Sequence, residues 1–133
     1  FDHEKVIERK NKVVKTLVSG IKSKLKKNNV SVVEGLGQIT GKNTEGYEVK
    51  VNNDTYTSKR LLIATGSMPV IPPIAGVKEG MEKGYILTNR EILDIKSVPS
   101  SLVIVGGGVI GLEMASYFNS AGSKSQLLKC LTI

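Results

Sequence analysis

Between Glu4 and Lys27 the apolar residues Val6, Val13, Val14, Leu17, Val18, Ile21 and Leu25 recur mostly at helical spacing, with lysines filling the positions between them. That pattern predicts an amphipathic helix resting one stripe on a core. The stretch "KKNN" that follows places basic residues in the last turn and asparagines at the stop. Next comes "VSVVEG", whose valines predict a short strand. Helix and strand then form the second half of a βαβ crossover whose first strand would precede Phe1.

From Leu36 to Lys59 the periodicity shortens. The segments "YEVKV" and "TYTSK", separated by "NTEG" and the turn "NND", predict a small antiparallel meander with side chains alternating between faces. The run "RLLIATGS" has unbroken apolar character from Leu61 to Ala64 and predicts a strand buried on both faces, ending in a Thr-Gly turn. Pro69, Pro72 and Pro73 make the path from Ser67 to Leu87 an extended connection. "TNREILDI" predicts a short helix, with Thr88 or Asn89 at its N-cap and Glu91 in its first turn. Pro99 stops it, and "SLVIV" opens a second buried strand, so a boundary between two structural units is expected near Lys96 to Ser100.

That strand runs into "GGGVIGLEMASYF". Gly106, Gly108 and Gly111 match GxGxxG, a weak signal alone that gains weight from its setting. The apolar strand Leu102–Val105 precedes the loop, and a helix with an apolar face of Ile110, Met114, Tyr117, Phe118 and Ala121 follows it. The three glycines act differently. Gly106 permits the tight turn, Gly108 lets backbone approach a pyrophosphate, and Gly111 allows helix and strand to pack closely. The helix N-terminus would offer N–H groups and partial positive charge to the phosphates. A second cluster, "GLGQITG", misses this spacing because Thr40 stands where the third glycine belongs, and a sheet follows it. The acid that commonly binds the NAD ribose about 20 residues beyond the fingerprint is missing, and Lys129 or a neighbour occupies its place.

Composition narrows the class. The chain has 133 residues, 40% hydrophobic and 23% charged, which fits one ordinary globular domain rather than a disordered or fibrous chain. No apolar run approaches a membrane span, no secretory leader opens the sequence, and a cytoplasmic location is expected. The net charge of +7 raises nucleic acid as a partner, but most of the helix lysines read as a solvated face without aromatic residues to stack bases. Cys130 is the sole cysteine, which excludes an internal disulfide or a CxxC pair and reads as an ordinary buried thiol. His3 has no acid or nucleophile beside it in sequence to cooperate with. Glu34, Glu91 and Asp94 likewise show no pairing, and no catalytic residue is assigned.

The order helix, "GLG", "ATGSMPVIPPIAG", "VPSSLVIVGGGVIGLEMA" resembles the flavoprotein disulfide reductases built on two dinucleotide folds, most of all the dihydrolipoyl dehydrogenases. The likeness extends from about Val13 to Lys124, and the pairing of an ATGS-P-P-G segment with a GGG-IG-E-A fingerprint is more specific than either alone. It implies an α/β fold: a partial FAD/NAD(P)-binding two-dinucleotide fold, with a small antiparallel β meander and the first βα unit of a Rossmann nicotinamide domain. Residues 1–99 would be the second half of the FAD-binding domain and 100–133 the start of the NAD-binding domain. By the same likeness Gly37 meets the adenine end of FAD, and Thr65, Gly66 and Ser67 pass its nucleotide portion. Gly106, Gly107, Gly108, Val109, Ile110, Gly111 and Leu112 form the NAD pyrophosphate loop, and Glu113 reaches toward the nicotinamide. On the residues alone Glu113 is a charge in the first turns of a helix.

The resemblance further implies electrons passing from dihydrolipoyl groups through a cysteine pair and FAD to NAD, in a homodimer. Such enzymes would serve 2-oxo acid dehydrogenase or glycine cleavage complexes through lipoyl domains. The family's first FAD fingerprint and CxxxxC pair would precede Phe1, and its catalytic His-Glu pair would follow Ile133. The chain therefore reads as an internal fragment, inactive alone, whose likeness ends near Lys124 through truncation or a changed reading frame. Fragments of NADH oxidases, peroxidases or other disulfide reductases are alternatives within the class. A non-catalytic nucleotide-binding module and a basic nucleic-acid-binding domain are the alternatives outside it.

Overall fold

The computed structural model describes residues 1–128. These form two compact units, one of residues 1–15 with 69–128 and one of residues 16–68. The long helix α1, His3–Lys27, contributes to both.

In the unit of residues 16–68, β1 (Gly37–Lys42), β2 (Tyr47–Val51) and β3 (Asp54–Ser58) form the expected antiparallel meander. Asn43 makes the first turn by accepting the N–H groups of Glu45 and Gly46 on its side-chain oxygen at 2.8 and 3.0 Å. Asn52 makes the second by adopting a left-handed φ of 55°. The register shifts between Ile39 and Gly41, so within "GLGQITG" the residues from Gly37 on form an irregular, bulged strand, while Gly35 and Leu36 precede it.

Two expected strands do not form. Residues 30–35 and Leu61–Ala64 are irregular, and Leu62 and Ile63, expected inside, are 87% and 66% exposed. A strand exists through its ladder, and no described strand pairs with either segment. The stripe on α1 also differs from expectation: the helix forms, yet Val13, Val14, Leu17, Val18 and Ile21 remain exposed, Leu17 at 62%. Periodicity fixed the helix and its face, while nothing among the described residues buries that face.

In the other unit the expected strand and helix of the glycine loop are present as β4 (Ser101–Val105) and α3 (Val109–Ser120). The strand β4 is not buried as expected: Val103 and Val105 are each 56% exposed, because only β5 and α3 among the described elements pack on it. The chain returns through Gly122, at φ 101°, into β5 (Lys124–Leu128), which pairs parallel with β4 in register Ser101 to Lys124 through Val105 to Leu128. This is a βαβ unit, and Phe118 on α3 is its deepest side chain at 1% exposure. The hydroxyls of Ser123 and Ser125 are buried without a hydrogen-bond partner. The connection expected to be extended contains a helix, α2 (Val77–Glu82), because the prolines end at Pro73 and "VKEGME" is free to coil. The helix expected in "TNREILDI" is a single 3-10 turn, Glu91–Asp94. Neither Thr88 nor Asn89 is its N-cap as expected: Arg90 holds that position without a side-chain cap. The start is held instead by the Glu91 carboxylate accepting the Thr88 N–H at 2.7 Å and by the Thr88 hydroxyl accepting the Arg90 N–H at 3.2 Å. No described helix is long and apolar enough to cross a membrane.

Candidate nucleotide-binding site

The loop between β4 and α3 has a backbone that only particular residues allow. Gly106 adopts φ 112°, outside the range of ordinary L-residues, and its N–H donates to the Leu128 carbonyl at 2.9 Å, tying the turn to the end of β5. A Cβ on Gly111 would stand 2.3 Å from the Gly106 carbonyl oxygen and 3.4 Å from Ile104 Cγ2. Helix and strand meet there at a distance that no side chain permits. Gly108 is the N-cap of α3, extended at φ −76° and ψ 176°, with open space where a side chain would project.

No side chain caps α3. Its first intrahelical bond runs from the Leu112 N–H to the Gly108 carbonyl at 3.0 Å, which leaves the N–H groups of Val109, Ile110 and Gly111 without acceptors inside the helix. Gly107, Gly108, Val109 and Ile110 are exposed, so these donors face outward from bare backbone. The partial positive charge of a helix N-terminus adds to the same spot. Such a cradle suits an anionic pyrophosphate: it has donors, no competing cap, and room for close approach. On the next turn Leu112 is 55% exposed, and Glu113 is exposed as well.

The remaining expected residues lie in the other unit. Gly37 opens β1 opposite Val51, whereas Thr65, Gly66 and Ser67 lie in an exposed irregular segment with Gly66 at φ 75°. Lys129 and Cys130, which concern the ribose end and the thiol, lie outside the described residues. Among the described residues no cluster of His, Cys, Asp or Glu could hold a metal ion.

His3 is where the sequence pattern misleads. It is 8% exposed, with Nδ1 at 2.9 Å from the Tyr117 hydroxyl and Nε2 at 3.0 Å from the Ile95 carbonyl oxygen. A carbonyl can only accept, so Nε2 donates to Ile95, while Nδ1 pairs with the Tyr117 hydroxyl, a group able to donate or accept. Its ring lies 6.0 Å from that of Tyr117 and 6.2 Å from that of Phe118. Lys10, two turns along α1, donates to the Leu93 carbonyl at 3.0 Å and pairs with Asp94, so it leaves the solvated lysine face. Between these groups lies a largely apolar cavity of about 280 Å³, with His3, Lys10, Glu113 and Phe118 in its wall. The partners are about ninety residues or more from His3 in sequence, beyond local patterning. The one available signal was that His3, Ile7 and Lys10 share a helical stripe.

A family model described as pyridine nucleotide-disulphide oxidoreductase matches residues 2–133. The chain belongs to that family. Within it, dihydrolipoyl dehydrogenase of Acholeplasma laidlawii is 50% identical over 131 residues, covering 98% of this chain and 38% of the relative. The dihydrolipoyl dehydrogenase of Mycoplasma genitalium is 36% identical over 97% of this chain and 27% of its own length. Among solved structures, the HOCl-induced flavoprotein disulfide reductase RclA from Escherichia coli superposes over the whole chain with a TM-score of 0.80 at 29% identity, covering 29% of that protein. The α/β architecture of this pyridine nucleotide-disulphide oxidoreductase chain is thus that of a flavoprotein disulfide reductase. The expected loss of likeness near Lys124 is corrected: the family match continues through residue 133, and Lys124–Leu128 forms the strand that pairs with β4. The unusual sequence "KSQLL" satisfies that ladder because backbone groups, not side chains, make it.

Proposed function

We propose that the chain supplies the pyridine-nucleotide pyrophosphate loop, and part of the flavin site, of an oxidoreductase resembling dihydrolipoyl dehydrogenase. The uncapped N-terminus of α3, reached through the Gly106 turn, is the observation that carries this reading. Gly106 to Leu112 would hold the NAD diphosphate through backbone N–H groups, and Glu113 would approach the nicotinamide. Gly37 would meet the adenine end of FAD, with Thr65, Gly66 and Ser67 along its nucleotide portion. The bound FAD and NAD would supply the electron and hydride transfer, and the protein the position and the electrostatics.

On this reading residues 1–99 belong to the flavin domain and 100–133 to the nicotinamide domain. The whole enzyme would be a cytoplasmic homodimer that oxidises dihydrolipoyl groups on lipoyl domains of 2-oxo acid dehydrogenase or glycine cleavage complexes. The chain spans 38% of the Acholeplasma relative. By itself it would bind nucleotide without turnover, having one cysteine and therefore no dithiol pair. Titrating the purified chain with NADH, followed by fluorescence, and with FAD, followed by absorbance, tests this. Saturable NADH binding and no oxidation of dihydrolipoamide are expected. A chain that ignores both nucleotides and binds DNA with steep salt dependence would overturn the reading.

A further inference from the structure

His3 is buried, both of its ring nitrogens are engaged, and nothing proposed above uses it. Its two bonds join the segment that precedes the βαβ unit to the helix within it. Ile95 lies on the segment that leads into β4, and Tyr117 lies on α3, one turn after Glu113 on the same face. The cavity beside them is lined by Glu113, Met114, Tyr117 and Phe118 of α3, so that part of the helix surface has open space rather than a packed layer against it. Directional hydrogen bonds fix what loose apolar contact does not. Lys10 holds the neighbouring Leu93 carbonyl and Asp94, so α1 grips this segment at two points.

We propose that His3 is a positioning residue of the nucleotide cradle. By bonding Tyr117 and the Ile95 carbonyl together, it sets the orientation of α3, and with it the N–H groups of its first turn and Glu113, relative to the strand that delivers Gly106. The proposal rests on the reading of Gly106–Glu113 as the NAD loop.

The test uses the full chain with NADH as the probe, in His3→Leu, His3→Gln, Tyr117→Phe and the double variant His3→Leu/Tyr117→Phe. His3→Leu is expected to weaken NADH binding about three- to tenfold, the range set by one or two net hydrogen bonds. Tyr117→Phe should lose less, and the double variant no more than His3→Leu. His3→Gln, whose amide keeps the donor to Ile95, should fall between wild type and His3→Leu. Wild-type affinity in His3→Leu, additive losses in the double variant, or no recovery in His3→Gln would overturn the proposal.

If the unaltered chain binds no NADH, the functional reading fails separately, and amide exchange at Gly106–Ile110 judges His3. Faster exchange there in His3→Leu, with β1–β3 unchanged as an internal control of folding, supports it. Unchanged exchange at the loop overturns it.

Discussion

Gly111 lies so close to Gly106 that a methyl group on the first would stand 2.3 Å from the carbonyl oxygen of the second. The obstacle is backbone, which cannot swing away as a side-chain tip can. Gly111→Ala must therefore separate α3 from the loop. Overpacking of this kind costs about 1–3 kcal/mol, and the shift should also displace the donors of the first turn. Chemical denaturation is expected to show that loss, and an unchanged midpoint would mean that the loop relaxes freely.

Ser123 offers the opposite case. Its hydroxyl is buried with no partner, next to the end of α3, where the Ser123 N–H is already bonded to the Phe118 carbonyl at 2.9 Å. A buried hydroxyl without a partner carries a desolvation cost of roughly 1–3 kcal/mol, and alanine removes the group with little change in volume. Ser123→Ala should leave stability unchanged or raise it by about 1 kcal/mol. A clear destabilisation in thermal melts would show that the hydroxyl has a partner in solution.

What was legible in the sequence was what local rules determine. The turn at Gly106, the close approach at Gly111 and the helix that follows depend on residues within a few positions, and the meander depends on Asn43 and Asn52 placing their own turns. Segments that depend on distant partners depart from what their local pattern predicts. Val30–Val33 and Leu61–Ala64 have the composition of strands, but composition does not supply a ladder. His3 failed for the same reason in reverse: its partners Tyr117 and Ile95 are remote, so an engaged residue looked idle.

The start of the 3-10 turn should be sensitive to acid. The Thr88 hydroxyl, and then the Thr88 N–H, hold the Glu91 carboxyl below the usual carboxylate value. A lowered folded pKa means that the unfolded chain takes up a proton first as pH falls. The stabilisation is present above the ordinary glutamate range and is lost as pH drops through and below it. Comparing unfolding midpoints at neutral pH and at about pH 3, a condition below the ordinary range of a glutamate, should show a smaller acid-induced drop in Glu91→Gln than in the unaltered chain. An identical drop in both would remove Glu91 from the account.

Gly108 separates folding from binding within the same loop. Its φ of −76° is open to any residue, and a Cβ there would meet nothing within 4 Å. Gly108→Ala should therefore fold with stability within about 0.5 kcal/mol of the unaltered chain, as substitutions away from packed or strained sites do. The added methyl would nevertheless project into the space at the uncapped end of α3, where a diphosphate must approach the backbone. NADH affinity should fall at least tenfold, a loss of about 1.4 kcal/mol, while the melting temperature stays nearly unchanged. Gly111→Ala should lower both. If Gly108→Ala binds NADH as the unaltered chain does, the phosphates are held somewhere other than this turn, and the shape of the loop serves only to join β4 to α3.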